Sequence, residues 1–69
     1  MIKNNIGGVL KKYRKSCKIT QKQMSEMIKV SQNHLSAIER NVYKANMMIL
    51  LFYIDICKIP ITEFFEKED

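Results

Sequence analysis

Four side chains in the middle of this 69-residue chain, Gln32, Asn33, Ser36 and Ala37, have the types and spacing to read the edges of DNA bases. Gln and Asn each carry a donor beside an acceptor and can make paired hydrogen bonds to adenine. A Ser hydroxyl suits several base edges, and an Ala methyl can meet the methyl group of thymine. Such residues work together only if one helix presents them on its outer side. Leu35 and Ile38 supply the inward positions of that helix, Ser31 can cap its start, and Asn41 tolerates the left-handed conformation that ends one.

The residues that other chemistries need are missing. No nucleophile has a base and an orienting acid in reach of it, no Gly-rich phosphate loop occurs, and no carboxylate pair is framed by a cleft, so an enzyme is not expected. Cys17, Cys57 and the one histidine, His34, lack the spacing of metal ligands, and neither metal nor cofactor is expected. Both cysteines fall among apolar helical positions and read as buried thiols in a reduced, cytoplasmic protein. His34 is open to two readings, a phosphate or base contact and a solvent-facing residue without a special role.

The base-reading helix needs neighbours to hold it. Ile6, Val9, Leu10, Tyr13 and Cys17 are spaced as one face of a first helix, with Gly7 and Gly8 weakening its first turn. Thr20 and Gln23 form a Thr-x-x-Gln capping box that opens a second helix, whose apolar stripe is Met24, Met27 and Ile28. Ser25 is small enough for a close helix crossing, and Lys29, Val30 and Ser31 make a connection of the length found in a helix-turn-helix. Asn46 caps a fourth helix running to about Lys58, and Pro60 stops it and starts a fifth within Ile-Thr-Glu-Phe-Phe-Glu-Lys. The expected fold is all-α: a compact bundle of five short helices forming one domain over residues 1–69, with a helix-turn-helix at about 20–40. At this length only ~60% of the unfolded surface can be buried, so a partner subunit would help.

Charge is divided along the chain. Residues 1–44 carry ten Lys and Arg against Glu26 and Glu39, a net of +8, whereas residues 45–69 carry −3. A basic N-terminal two-thirds suits a polyanion, because cationic side chains release counterions condensed on phosphate.

These residues together resemble the Cro and phage-repressor helix-turn-helix family, also called the XRE family, over roughly residues 6–65. The resemblance rests on Ile19-Thr20-Gln21, the small Ser25, Val30-Ser31, Leu35-x-x-Ile38-Glu39-Arg40, and the Leu50, Ile54, Ile59, Phe64 rhythm beyond. It implies a lambda-repressor-like domain in which Gln21 grips the DNA backbone and braces a base-reading Gln32, with Asn33 and Ser36 as neighbouring base readers. It further implies phosphate contacts at Thr20, Lys22, Arg40, Asn41 and Lys44, and a partly buried ion pair between Arg14 and Glu39. Two positions depart from the family pattern. Lys29 stands where glycine is usual, at a cost on the order of 1 kcal/mol for a positive φ, so a slightly different turn is expected there. Asn41 replaces a second glycine more gently.

Residues 47–54 are eight consecutive apolar residues, more than one buried face requires and far fewer than the ~20 that span a membrane. Met47, Phe52, Ile56, Ile61 and Phe65 are the expected surface of a homodimer formed by residues of about 46–66. The expectation is a dimeric, sequence-specific regulator of transcription, most simply a repressor on a double-stranded DNA operator of pseudo-palindromic sequence. A protein antagonist or co-regulator would be a further partner, since the sequence holds no second domain for sensing a ligand. The alternative is a protein-interaction module of the same fold, such as an antitoxin or regulator-binding subunit, that uses the apolar fourth helix and binds little DNA.

Overall fold

Every α-helix starts at a side chain that closes its first turn. The computed structural model describes residues 1, 2 and 4–66. Within it α1 spans Ile6–Ser16, α2 Gln21–Ile28, α3 Gln32–Glu39 and α4 Met47–Cys57. Asn5, Thr20, Ser31 and Asn46 accept the backbone N–H of Gly8, Gln23, His34 and Ile49 respectively. At Thr20 the capping is reciprocal: its Oγ1 accepts from the Gln23 N–H at 3.0 Å, and its own N–H donates to Gln23 Oε1 at 2.8 Å. Each such cap is worth about 1 kcal/mol, a useful fraction of the stability of a chain this short.

The helices end in left-handed residues that are not glycine. Lys18, Lys29, Asn41 and Lys58 all have φ between 53° and 65°. At Lys29 the expected departure of the turn does not occur. Its φ is 65°, and both its own N–H and that of Val30 reach the Ser25 carbonyl, so the lysine adopts the conformation a glycine would take. Packing of α2 on α3 fixes the path of the turn, and the side chain bears the strain. Lys29→Gly should therefore raise stability by about 1 kcal/mol, read as a higher urea midpoint with an unchanged slope. A lower midpoint would contradict the strain.

The expected fifth helix is a single 3-10 turn, Ile61–Phe64, entered from Pro60. It ends because Phe65 is extended and forms an antiparallel bridge with Ile2, while the Glu66 N–H donates to the Met1 carbonyl at 2.7 Å. Four residues cannot build an α-helical ladder, and pairing with the N-terminal segment claims the backbone that would have extended it.

Leu10, Met24, Leu35, Ile38, Ile49 and Tyr53 form the fully buried centre, where α1 packs against α3 and α4 and α2 packs against α3. Ser25 is buried on α2 beside Met24 and returns its hydroxyl to the Lys22 carbonyl at 2.7 Å. Two expected core residues lie outside. Met27 is 49% exposed, because the buried arc of α2 is Met24, Ser25 and Ile28 and Met27 sits about 100° from its middle. Cys17 follows the last turn of α1 and is exposed, whereas Cys57 is buried. Along α4 the inward line is Ile49, Tyr53 and Cys57, one residue per turn. No described helix is long and apolar enough to cross a membrane.

Candidate nucleic-acid interface

Side chains of Gln32, Asn33, Ser36 and Arg40 lie along one outer stripe of α3, spaced i, i+1, i+4 and i+8. Gln32, Asn33 and Arg40 are exposed and Ser36 is half-buried. The Arg40 Nε donates to the Ser36 carbonyl at 3.3 Å, which lays the guanidinium along the last turn of the helix. Ala37 does not belong to this stripe. It is only 6% exposed, because the chain after α3 doubles back across it: the N–H groups of Val42 and Tyr43 donate to its carbonyl at 2.9 and 3.4 Å. The same fold-back brings Tyr43 beside His34, with ring centroids 5.9 Å apart, so the histidine flanks the stripe against an exposed aromatic ring.

Around the stripe, Thr20 and Lys22 are exposed at the start of α2 and Lys44 in the segment after α3. Gln21 and Asn41, both expected at the DNA backbone, also make bonds within the domain. The Gln21 amide, expected to brace Gln32, donates to Glu39 Oε1 at 3.3 Å, because Gln21 is half-buried over the end of α3. Asn41 was expected at a phosphate. Its N–H donates to the Ile38 carbonyl, its Oδ1 accepts from the Gly7 N–H at 2.9 Å, and its amide N–H donates to Asn5 Oδ1. Its side chain therefore ties the start of α1 to the end of α3.

A buried ionic network sits directly beneath the stripe. Arg14 Nε donates to Glu39 Oε2 at 2.7 Å and Nη2 to Oε1 at 2.9 Å, while Nη1 donates to the Ile19 carbonyl at 2.8 Å. The Tyr53 hydroxyl donates to Glu39 Oε2 at 2.6 Å. The two charged side chains are 7% and 1% exposed. One carboxylate thus joins α1, α2, α3 and α4. Burial pushes the Glu39 carboxyl up, but the bonds from Arg14, Tyr53 and Gln21 outweigh it and hold the group below the ordinary range. The bond to Glu39 raises Arg14, while burial and then the Glu39 bond push the Tyr53 phenol up. All three groups are locked in the protonation state the network needs.

Tyr53 was not foreseen in this role. The signal was present, since a buried phenol inside an apolar run requires a partner for its hydroxyl. The partner itself is 14 residues away in sequence.

A second surface lies on α4. Met47, Met48, Leu51 and Phe52 are exposed and, with Asp55, line a shallow apolar groove. Of the residues expected at a dimer surface, Met47 is 69% and Ile61 65% exposed, and Phe52 and Phe65 are partly so. Ile56 is half-buried against the domain's own core and offers less.

Residues 7–69 match a protein-family model described as a helix-turn-helix domain. Neither a curated protein nor a solved structure gives a significant match.

Proposed function

The chain belongs to the helix-turn-helix domain family, and from that premise we propose that it is a sequence-specific DNA-binding repressor of the Cro-like kind, acting as a two-fold dimer on a pseudo-palindromic operator. The observation that carries this reading is the polar stripe of Gln32, Asn33, Ser36 and Arg40, free of surface acid because Glu39 is buried in its ion pair. A helix laid into the major groove needs such a face. Gln32, Asn33 and Ser36 read bases; Thr20, Lys22, Arg40 and Lys44 hold phosphates. The exposed apolar side of α4 pairs two copies, and half-sites ~10 bp apart bring both recognition helices to one face of the duplex.

Selection of bound duplexes from a random pool at ~150 mM salt tests this reading, because salt at that level suppresses non-specific phosphate binding. An enriched inverted repeat is the expected result. No enrichment overturns it in favour of the protein-interaction module, the reading that the exposed Met47, Met48, Leu51 and Phe52 would then support. On the enriched site, Gln32→Ala should flatten sequence preference by about 1–3 kcal/mol, whereas Lys44→Ala should weaken all duplexes alike and reduce the salt slope by about one contact.

A further inference from the structure

Cys17 and Cys57 are 40 residues apart in sequence and meet in the fold. The Cys17 thiol, in the residue that caps α1, donates to the carbonyl oxygen of Cys57, the last residue of α4, at 3.6 Å. The two thiols differ in access: Cys17 is open to solvent, and Cys57 is 5% exposed. Cys57 packs in the core, and neither thiol belongs to the polar stripe of α3.

We propose that Cys17 and Cys57 are a paired oxidation site, converted by a hydroperoxide into an intramolecular disulfide that staples the end of α1 to the end of α4. Cys17, the accessible member, reacts first. Its thiolate attacks a peroxide oxygen, the S–O bond forms as the O–O bond breaks, and the departing hydroxide or alkoxide takes a proton, leaving a sulfenic acid on Cys17. The Cys57 sulfur then attacks the Cys17 sulfur. The S–S bond forms, the S–O bond breaks, and the leaving hydroxide takes the Cys57 proton away as water. Two thiols and one hydroperoxide become one disulfide, one alcohol or water, and one further water. A small-molecule thiol reverses the step by exchange.

The order of the two cysteines follows from their surroundings. Burial, reinforced by the neighbouring Cys17 thiol, pushes the Cys57 thiol up to about 12, so it is inert toward peroxide in bulk solvent and acts only on a sulfur already beside it. The loop closed by the bond holds all of α2 and α3. One turn before each cysteine stand Arg14 and Tyr53, both bonded to Glu39, so the staple clamps the two helices that position the end of α3.

The test uses the full chain treated with hydrogen peroxide, then alkylated and analysed by mass spectrometry with a parallel thermal melt. The expected product is a monomeric chain lacking two hydrogens, with both cysteines protected from alkylation. Its Tm should be higher by about 10 °C or more, an increase abolished by dithiothreitol, because a loop of this length restricts the unfolded chain strongly. Cys17→Ser, at an exposed position that leaves the core intact, should lose both the protection and the Tm shift while melting like the reduced protein. The proposal is overturned if Cys17 proceeds to sulfinic or sulfonic acid with Cys57 still alkylatable, if only chain-to-chain disulfides form, or if the cross-linked chain melts no higher. None of these outcomes depends on whether the chain binds DNA.

Discussion

Glu39→Gln should cost about 3 kcal/mol of stability at pH 7 and lower the Tm by more than 10 °C. The arithmetic rests on burial. An exposed ion pair contributes well under 1 kcal/mol, but removing one member of a buried pair leaves the other charge without compensation and costs about 3–5 kcal/mol. Arg14 and Glu39 are both almost wholly buried, and Glu39 also receives the Tyr53 hydroxyl and the Gln21 amide. A glutamine fills the same space but leaves the guanidinium uncompensated and turns an N–H₂ toward one of its donors. For a domain whose whole stability is of the order of 3–10 kcal/mol, that is a large share. The pH dependence follows in sign. The Glu39 carboxyl is held below its ordinary value, so its contribution is complete above the unfolded value of about 4.3 and is lost as pH falls through the lower folded value. The gap between the natural chain and Glu39→Gln should therefore be widest at neutral pH and close in acid. Urea unfolding across that range measures it, with Lys11→Gln as the exposed control. Equal midpoints for Glu39→Gln and Lys11→Gln would refute the buried network.

Gly7→Ala should also destabilise by about 3 kcal/mol, against the direction that helix propensity favours. Within a helix, Ala is better than Gly by about 1 kcal/mol. A Cβ at Gly7 would stand 2.1 Å from the Ile38 carbonyl oxygen and 2.9 Å from Asn41 Oδ1, and the first of these is backbone that cannot swing aside. The start of α1 must then lift off the end of α3, weakening the Gly7 N–H bond to Asn41. Overpacking of this kind costs about 1–3 kcal/mol, and the lost bond adds to it. Gly8 is the control. A Cβ there comes closest to the Asn5 side chain, which can swing aside, so the cap loosens while propensity improves, and Gly8→Ala should be close to neutral. Thermal melts of the two variants decide the matter; a Gly7→Ala protein as stable as the natural chain would refute the close approach of α1 to α3.

Gly7 shows where sequence reading reaches its limit. Read along the chain it is a weak residue in a first turn, and only the Ile38 carbonyl above it makes it necessary. Arg14 and Glu39 stand at the other extreme. Nearly the only acid in a basic region, on a chain resembling a family with that ion pair, pointed to the contact 25 residues away that the structure contains. Met27 and Ala37 lie between. Each has the right residue type for the side assigned to it, but α2 buries an arc centred elsewhere and the segment after α3 turns back over Ala37.

By itself the sequence determined what is encoded within a turn or two of chain. The caps at Thr20, Ser31 and Asn46 each act over three residues, the inward Leu35 and Ile38 follow from helical period, and Asn41 takes the left-handed conformation its side chain tolerates. Only the tertiary structure decided what those helices meet: Tyr53 with Glu39, Asn41 with Gly7, Cys17 with Cys57, Phe65 with Ile2. The reason is physical. A cap or a helical stripe is a bond or a period within one segment, whereas the partner of a buried hydroxyl, the neighbour of a glycine and the cover over an alanine are set by how segments far apart in sequence pack together.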